Sequence, residues 1–381
     1  MIRGIKIRLY PTKEQESMMW KHVHASRFIY NHMLALQKER YANGEKHLST
    51  FDMHKLLTPM KKQPEFEWLN EVSNSMLQHT CAVLTEAYNR MFKKITRFPK
   101  FKSRKRAKTA FPVRCNRGDL WFDATTVQIA KLGRIKYKTD RVLPLGRDAQ
   151  FHNARVSFRN GKWFLSFGIE CESQAPELNE YSMGIDLGVK ELATVAYGDD
   201  SMVFHNINKS RRVRTIKRNI KRLQRSISRK YEANKQGNKF VKTRNIERCE
   251  DKLRRMYARL TDIRHNYIHQ TTHRLVSLLP RRVVMEDLNV SGMMKNRHLS
   301  KAISEQGFYE FIRQMKYKCA WNGIEFIQVG RFYPSSKTCS CCGCVKSDLK
   351  LSDRVYSCAE CGMEIDRDLN AAINLMRYGD Q

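Results

Sequence analysis

No run of 18 apolar residues occurs in the 381-residue sequence, so no segment is expected to span a bilayer. The opening residues, MIRGIKIRLYP, lack the apolar core of a secretory signal, and a cytoplasmic protein is expected. Acids are scarce. Only 38 Asp and Glu face 71 Lys and Arg, a formal net charge of +33. A charge of that size needs a polyanion. Nucleic acid is the first candidate, because its repeated phosphates release counterions when neutralised; an anionic membrane surface is the second. An apolar content of 41% argues against a disordered tail, and the length suffices for two or three domains.

A reducing compartment argues against disulfides, although there are 11 cysteines. Cys81, Cys115, Cys171, Cys249 and Cys319 are scattered, while six crowd between Cys339 and Cys361, which reads as metal binding. Cys339-x-x-Cys342, fifteen residues, then Cys358-x-x-Cys361 has zinc-ribbon spacing. Cys341-x-x-Cys344 is a second register. The first is preferred because Gly343 and Gly362 follow its knuckles and free the backbone to curl amides towards sulfur. Four thiolates leave no open position, so one structural Zn²⁺ is expected.

Along the chain, IRGIKIRLY alternates as a half-buried strand, and Thr12 with Gln15 forms a capping box that starts a helix to about Tyr41. A second helix is expected over about 50–57, stopping before Pro59, and a third over about 72–96, with Ile95 on its periodic face. From Leu120 to Glu172 the period becomes two. Asn160-Gly161 supplies a hairpin turn, followed by alternating Trp163, Leu165, Phe167 and Ile169. A small β barrel or sheet over 111–172 is expected, with strand 2–10 able to join it.

From residue 181 the order is strands, helices, strand, helix, strand, helix, an α/β arrangement. Residues 209–255 hold 19 Lys/Arg and 4 acids, and aliphatic stripes on either side of Gly237 predict a packed helical hairpin. SEQGFYEFIRQMKYKCAW reads as one helix. NVSGMMKNRHLSKAI reads as a lid beside the site that Glu286 marks.

Three acids sit on rigid elements. Asp186 lies inside the apolar strand GIDLG, Glu286 ends the strand VVME, and Asp368 opens a helix whose Ala371 and Ala372 allow close packing. An acid in an apolar strand is costly unless a cation meets it. Clustered carboxylates suit Mg²⁺, and two ions about 4 Å apart would hold a water and a leaving oxygen for attack on a phosphodiester. Asp287 points away from Glu286 by strand alternation, and Asp366 is placed to cap the helix that Asp368 enters.

FPKFKSRKRAK, with Lys100, Lys102, Arg104, Lys105 and Arg106, reads as a phosphate contact, as do Arg211 and Arg212 in the hairpin. Asn74 and Gln78, four apart on the third helix, are candidate base readers, while His22, His24 and His265 read as packing or surface residues.

Together GIDLGVKELA, VVMEDLNVSGM, GFYEFIRQMKYKCAW, SSKTCSCCG with SCAECG, and DRDLNAAINL resemble the TnpB family, as do RFIYNHML and FPKFKSR. These are insertion-sequence proteins related to type V CRISPR effector nucleases. The resemblance covers nearly the whole chain. It implies a mixed α/β multi-domain protein. A RuvC-like RNase H fold nuclease over 181–381 would carry the basic hairpin 206–280 and a zinc ribbon 335–363. An oligonucleotide-binding-type, wedge β barrel over 1–10 and 98–180 would be interrupted by a helical recognition domain 11–97. It implies an RNA-guided endonuclease that cuts double-stranded DNA beside a short transposon-associated motif, with guide RNA from the transposon end and one protein per RNA. The catalytic acids fall on Asp186, Glu286 and Asp368, with two Mg²⁺, and the zinc ligands on Cys339, Cys342, Cys358 and Cys361. Cys341 and Cys344 are additional to the pattern. The alternatives are a strand-transfer transposase and a non-cleaving RNA-guided repressor.

Overall fold

Ile5, Ile7 and Leu9 are buried while their neighbours in β1 (Ile2–Tyr10) are exposed, the alternation of a strand covered on one face. The structure is a computed structural model that describes all residues except 1, 105–106, 117, 141, 147–148, 172–175, 332, 351–352 and 380–381. It divides into two units, Met1–Glu172 and Ser173–Gln381.

In the first unit β1 leads through a Thr12–Gln15 capping box into α1 (Lys13–Ala42), then α2 (Thr50–Met60) and α3 (Asn74–Phe92). The chain returns as β2 (Ala110–Pro112), β3 (Leu120–Phe122), β4 (Thr126–Ile129), β5 (Gly133–Lys138), β6 (Phe151–Arg159) and β7 (Lys162–Glu170). These form one antiparallel sheet ordered β2-β6-β7-β1-β5-β4-β3, so the N-terminal strand sits at its centre. The β6–β7 hairpin turns at Asn160 (φ 54°) and Gly161 (φ 77°), both left-handed as a two-residue hairpin demands. Trp163 Nε1 donates to Glu16 Oε1 (3.1 Å) and Gln15 Nε2 to the Leu132 and Arg134 carbonyls, which tie α1 to the sheet.

Two helix boundaries differ from expectation. Helix α2 runs through Pro59. In a last turn proline forgoes one N–H, and Lys61 N still reaches the Leu57 carbonyl at 3.1 Å. Helix α3 ends at Phe92 because Lys94 turns left-handed (φ 56°), and Ile95 is left 65% exposed, outside the core.

The second unit begins with β8 (Asn179–Leu187), β9 (Glu191–Tyr197) and β10 (Asp200–His205). Helices α4 (Arg211–Ala233) and α5 (Arg244–Val276) form the basic hairpin, joined by the two-residue strands β11 (Lys235–Gln236) and β12 (Lys239–Phe240). Val213, Ile216, Ile220 and Leu260 bury between them. Then come β13 (Pro280–Glu286), α6 (Val290–Met293), α7 (Ser300–Gln306), α8 (Phe308–Trp321), β14 (Glu325–Val329), β15 (Val355–Ser357), β16 (Glu364–Asp366) and α9 (Arg367–Met376). The five-stranded sheet is ordered β10-β9-β8-β13-β14, with β13 parallel to both β8 and β14. The helix expected over SEQGFYEFIRQMKYKCAW is two helices. Gly307 adopts φ 72° between α7 and α8, a conformation only glycine takes without strain. Among the described residues no helix is long and apolar enough to cross a membrane.

Strand parity sets the layers of this unit. Met183, Ile185, Val283 and Met285 pack against Ile268 and Leu275 of α5 and Phe311 and Met315 of α8. Val284 packs with Leu375 of α9 on the other face. The even positions of β8 and β13 therefore look towards α9.

Candidate active site and metal centre

Asp186 and Glu286 share that α9 face. The parallel register pairs Gly184 with Val284 and Ile185 with Met285, and its next step sets Asp186 beside Glu286 at the C-terminal ends of both strands. Helix α9 reaches the same place because of Gly184. A Cβ there would lie 2.0 Å from the Ala372 carbonyl oxygen and 2.3 Å from the Met376 nitrogen, so only glycine lets the helix backbone rest on β8. Two strand residues rise ~6.6 Å and four helical residues ~6 Å. With Ala372 on Gly184, the side chains of Asp368 and Asp186 are brought alongside each other. A Cβ on Gly188 would likewise meet Asp368 Oδ2 at 4.0 Å.

The electrostatics record this convergence. Burial first, then the negative charges of Glu286 and Asp368, push Asp186 up to about 8, against an opposing pull from Arg367. Arg367 Nη2 stands 3.4 Å from Asp368 Oδ1. Glu286 Oε1 accepts a hydrogen bond from the Ser335 hydroxyl. Asp287 turns away and pairs with Arg331 at 2.9 Å. Among the described residues the three acids are not a cluster whose oxygens all lie within 4.8 Å of one another; only the cysteines meet that spacing. Like charges keep carboxylates apart.

Asp366 caps α9, its Oδ1 accepting from the N–H groups of Asp368 (2.9 Å) and Leu369 (3.1 Å). Because β16 ends at Asp366 and pairs with β15, the cysteine-bearing ribbon runs directly into the helix. The ribbon is also clamped to the face of α9 turned from the sheet. Asn370, fully buried, accepts from Ser340 N (3.0 Å) and donates to the Thr338 carbonyl (2.7 Å). Asn374 donates to the Ser335 and Thr338 carbonyls, both at 2.7 Å, and Arg377 donates to the Ser340 carbonyl. Asn370 and Asn374 escaped the sequence reading; their i,i+4 spacing in an otherwise apolar segment was the available signal.

The Sγ atoms of Cys339, Cys342, Cys358 and Cys361 all lie within 4.8 Å of one another. The Cys339–Cys361 and Cys342–Cys358 separations are 3.7 and 3.6 Å. A tetrahedron of sulfurs ~2.3 Å from a central ion has edges of ~3.8 Å, so the set fits a four-thiolate metal. Gly343 (φ 79°) and Gly362 (φ 71°) allow each knuckle to close, with Gly343 N on the Cys339 carbonyl and Gly362 N on the Cys358 carbonyl. The backbone amides of Cys361 and Glu360 draw the Cys358 thiol down to about 6. Cys341 and Cys344 are exposed and outside the set.

The segment expected as a lid folds into α6 and the first part of α7. Gln306, buried at its end, donates to the carbonyls of Gly188, Val189 and Glu191 and so braces the turn after Asp186.

The basic candidates divide. Lys100, Arg104, Arg211 and Arg212 are exposed. Lys102 folds inward instead, its ammonium 3.4 Å from the Tyr30 ring centre and its backbone held by Asn31, and burial lowers it to about 8. Gln78 accepts from Arg114 Nη1 at 3.0 Å. Lys105 and Arg106 lie outside the described residues. His22 is a packing residue that links the Met18 carbonyl to Ser73 N.

Three family models match the sequence. One, described as a helix-turn-helix domain of IS605 OrfB, covers residues 1–46, which here are β1 and the long helix α1. The IS605 OrfB model described as "Probable transposase" covers 166–297, and the Cas12f1-like TNB domain covers 308–375. A "Putative RNA-guided DNA endonuclease" of Streptomyces pristinaespiralis is 31% identical over 99% of this chain and 89% of its own. The "Putative RNA-guided DNA endonuclease InsQ" of Escherichia coli (strain K12) is 31% identical over 99% of this chain and 92% of its own. Among solved structures, the mini-RNA-guided endonuclease CRISPR-Cas phi3 aligns over 99% of this chain and 92% of that one, with a TM-score of 0.50 at 11% identity, a likeness of fold.

Proposed function

The chain belongs to the OrfB family of IS605 insertion sequences, and we propose on that premise that it is an RNA-guided, metal-dependent DNA endonuclease. The observation that carries the reading is the approach of Asp186, Glu286 and Asp368 along the contact of β8 and β13 with α9. The sheet of the second unit is read as RuvC-like, and that of the first as an oligonucleotide-binding wedge with α1–α3 as its recognition helices.

The three carboxylates suit Mg²⁺ in chemistry, being oxygen donors on rigid elements whose mutual repulsion Arg367 offsets only in part. Two Mg²⁺ ions held there would supply a hydroxide nucleophile and stabilise charge on the phosphodiester. The chain's own residues set the geometry. Ser335 orients Glu286, Arg367 balances charge beside Asp368, and Gln306 braces the turn after Asp186. Cys339, Cys342, Cys358 and Cys361 are assigned one structural Zn²⁺, which would stiffen the ribbon that Asn370 and Asn374 fasten to α9. The net charge of +33 suits a guide RNA and double-stranded target DNA, bound by a single protein. Work on nucleic acid suits the cytoplasm.

The test is to purify the protein co-expressed with its flanking DNA, sequence the bound RNA and replace its guide segment. A plasmid library bearing the new target beside randomised flanks is then challenged with Mg²⁺. Cleavage that follows the new guide and selects one flank is expected. The family description as a transposase favours a second reading, strand transfer by the same acids. Joined strands formed without RNA would establish it, and guided binding without nicks would establish the repressor.

A further inference from the structure

Helix α4 carries Arg214, Arg218, Lys221, Arg225 and Arg229 as one exposed stripe, about a charge per turn over ~22 Å of axis. None of the five is in an ion pair among the described residues, and the first acid of the helix is Glu232 in its last turn. Five like-charged i,i+4 pairs, from Arg214/Arg218 to Arg225/Arg229, oppose the helix they sit on. A merely solvated face would intersperse acids; this one is relieved only by a polyanion.

The stripe has a floor. A cavity of about 580 Å³ opens between α4, α5 and α7, lined by Arg214, Arg218, Lys221 and Arg225 and floored by Tyr257 and Leu260. A second cavity of about 580 Å³ continues it past Ser228 to Arg229. Lys217, between Arg214 and Arg218, is already neutralised by Glu305 at 2.6 Å and is not counted in the stripe. Two neutral polar groups stand among the charges. Both line the groove, and Gln224 Nε2 donates to the Tyr257 hydroxyl at 3.0 Å, so the Gln224 amide oxygen remains to accept and the Tyr257 hydroxyl to donate. An acceptor and a donor held side by side match the ribose 2′-hydroxyl, which is both.

The geometry points to this groove as the seat of the ribose–phosphate backbone of a single RNA strand, with Arg214, Arg218, Lys221, Arg225 and Arg229 on successive phosphates and Gln224 with Tyr257 on a 2′-hydroxyl. The identity of that strand as guide RNA rests on the RNA-guided reading.

The experiment uses the RNA-free full-length chain in Mg²⁺-free buffer, with 12-nucleotide oligouridylate and oligodeoxyuridylate titrated across salt concentrations. The groove variant is R218Q/K221Q/R225Q. The control is R248Q/K252Q/R255Q, exposed residues of α5 outside both cavities. Circular dichroism melts verify that both fold. The groove variant is expected to lower the log–log salt slope for oligouridylate by about 2, on the order of 0.7 per lost phosphate. The control should leave the slope near wild type. Q224L should weaken oligouridylate several-fold and leave oligodeoxyuridylate within twofold. Equal slope losses in the two triple variants would overturn the groove. Equal losses for both sugars on Q224L would overturn its assignment to RNA. Wild-type protein that binds oligodeoxyuridylate but no RNA would contradict the RNA-guided reading itself, a result separate from both.

Discussion

Gly184 of β8 lies under Ala372 of α9 with no room for a side chain: a Cβ would stand 2.0 Å from the Ala372 carbonyl oxygen. Both residues belong to faces that carry an acid one step further on. From Gly184 the strand reaches Asp186, and from Ala372 the helix turns back to Asp368. The contact is therefore the fulcrum that sets the third acid against the first.

Gly184→Ala is expected to cost about 1–3 kcal/mol, towards the upper end because the obstacle is backbone. A melting temperature lowered by several degrees, with cleavage lost, is the expected result. Wild-type melting and cleavage would show that α9 does not rest on β8 this closely.

Asn370→Ala leaves Ser340 N buried without a partner, at about 1–3 kcal/mol, and takes from the Thr338 carbonyl one of its two amide donors, Asn374 keeping the other. All four cysteines of the cluster survive the change. Zinc measured by mass spectrometry should stay near one per chain while cleavage falls at least tenfold. Loss of zinc together with activity would mean that Asn370 supports the ribbon itself rather than its attachment.

Cys339→Ser and Cys361→Ser should purify without zinc and melt lower, whereas Cys341→Ser and Cys344→Ser should keep one ion. Zinc lost from Cys341→Ser would move the site to the overlapping register.

Lys318 of α8 is buried, donating to Thr272 Oγ1 at 2.6 Å and the His269 carbonyl at 3.0 Å, and burial lowers it to about 8. The unfolded chain keeps that proton to ~10.4, so between about 8 and that value it binds more protons than the folded one. Stability relative to Lys318→Met should therefore rise with pH across that window and be flat below it. Denaturant titrations of both proteins at several pH values check this; a difference that does not change with pH would contradict it.

Local chemistry made much of the fold legible. Ile5, Ile7 and Leu9 alternate, Thr12 and Gln15 cap reciprocally, and Asn160-Gly161 can turn left-handed twice. Glycines beside two of the six crowded cysteines selected the four whose sulfurs meet. What stayed hidden depends on partners far along the chain. Gly184 looks like any strand glycine until α9 arrives. Gly307 splits two helices that each have helical periodicity, so only its backbone conformation against Ile268 marks the break. Lys102 sits in a basic run, yet Tyr30 and Asn31 draw it inward. Charge alone names a polyanion and no guide; the guide came from the resemblance of motifs such as GIDLGVKELA and DRDLNAAINL.

The most direct measurement is guided plasmid cleavage by Asp186→Asn, Glu286→Gln and Asp368→Asn beside the wild type, with RNA and target binding measured on the same preparations. These near-isosteric changes remove one carboxylate charge each. Cleavage reduced by at least a thousandfold in all three, with binding of guide and target kept within a few-fold, is the predicted result. Undiminished cutting by any one of them would contradict a shared metal site at Asp186, Glu286 and Asp368.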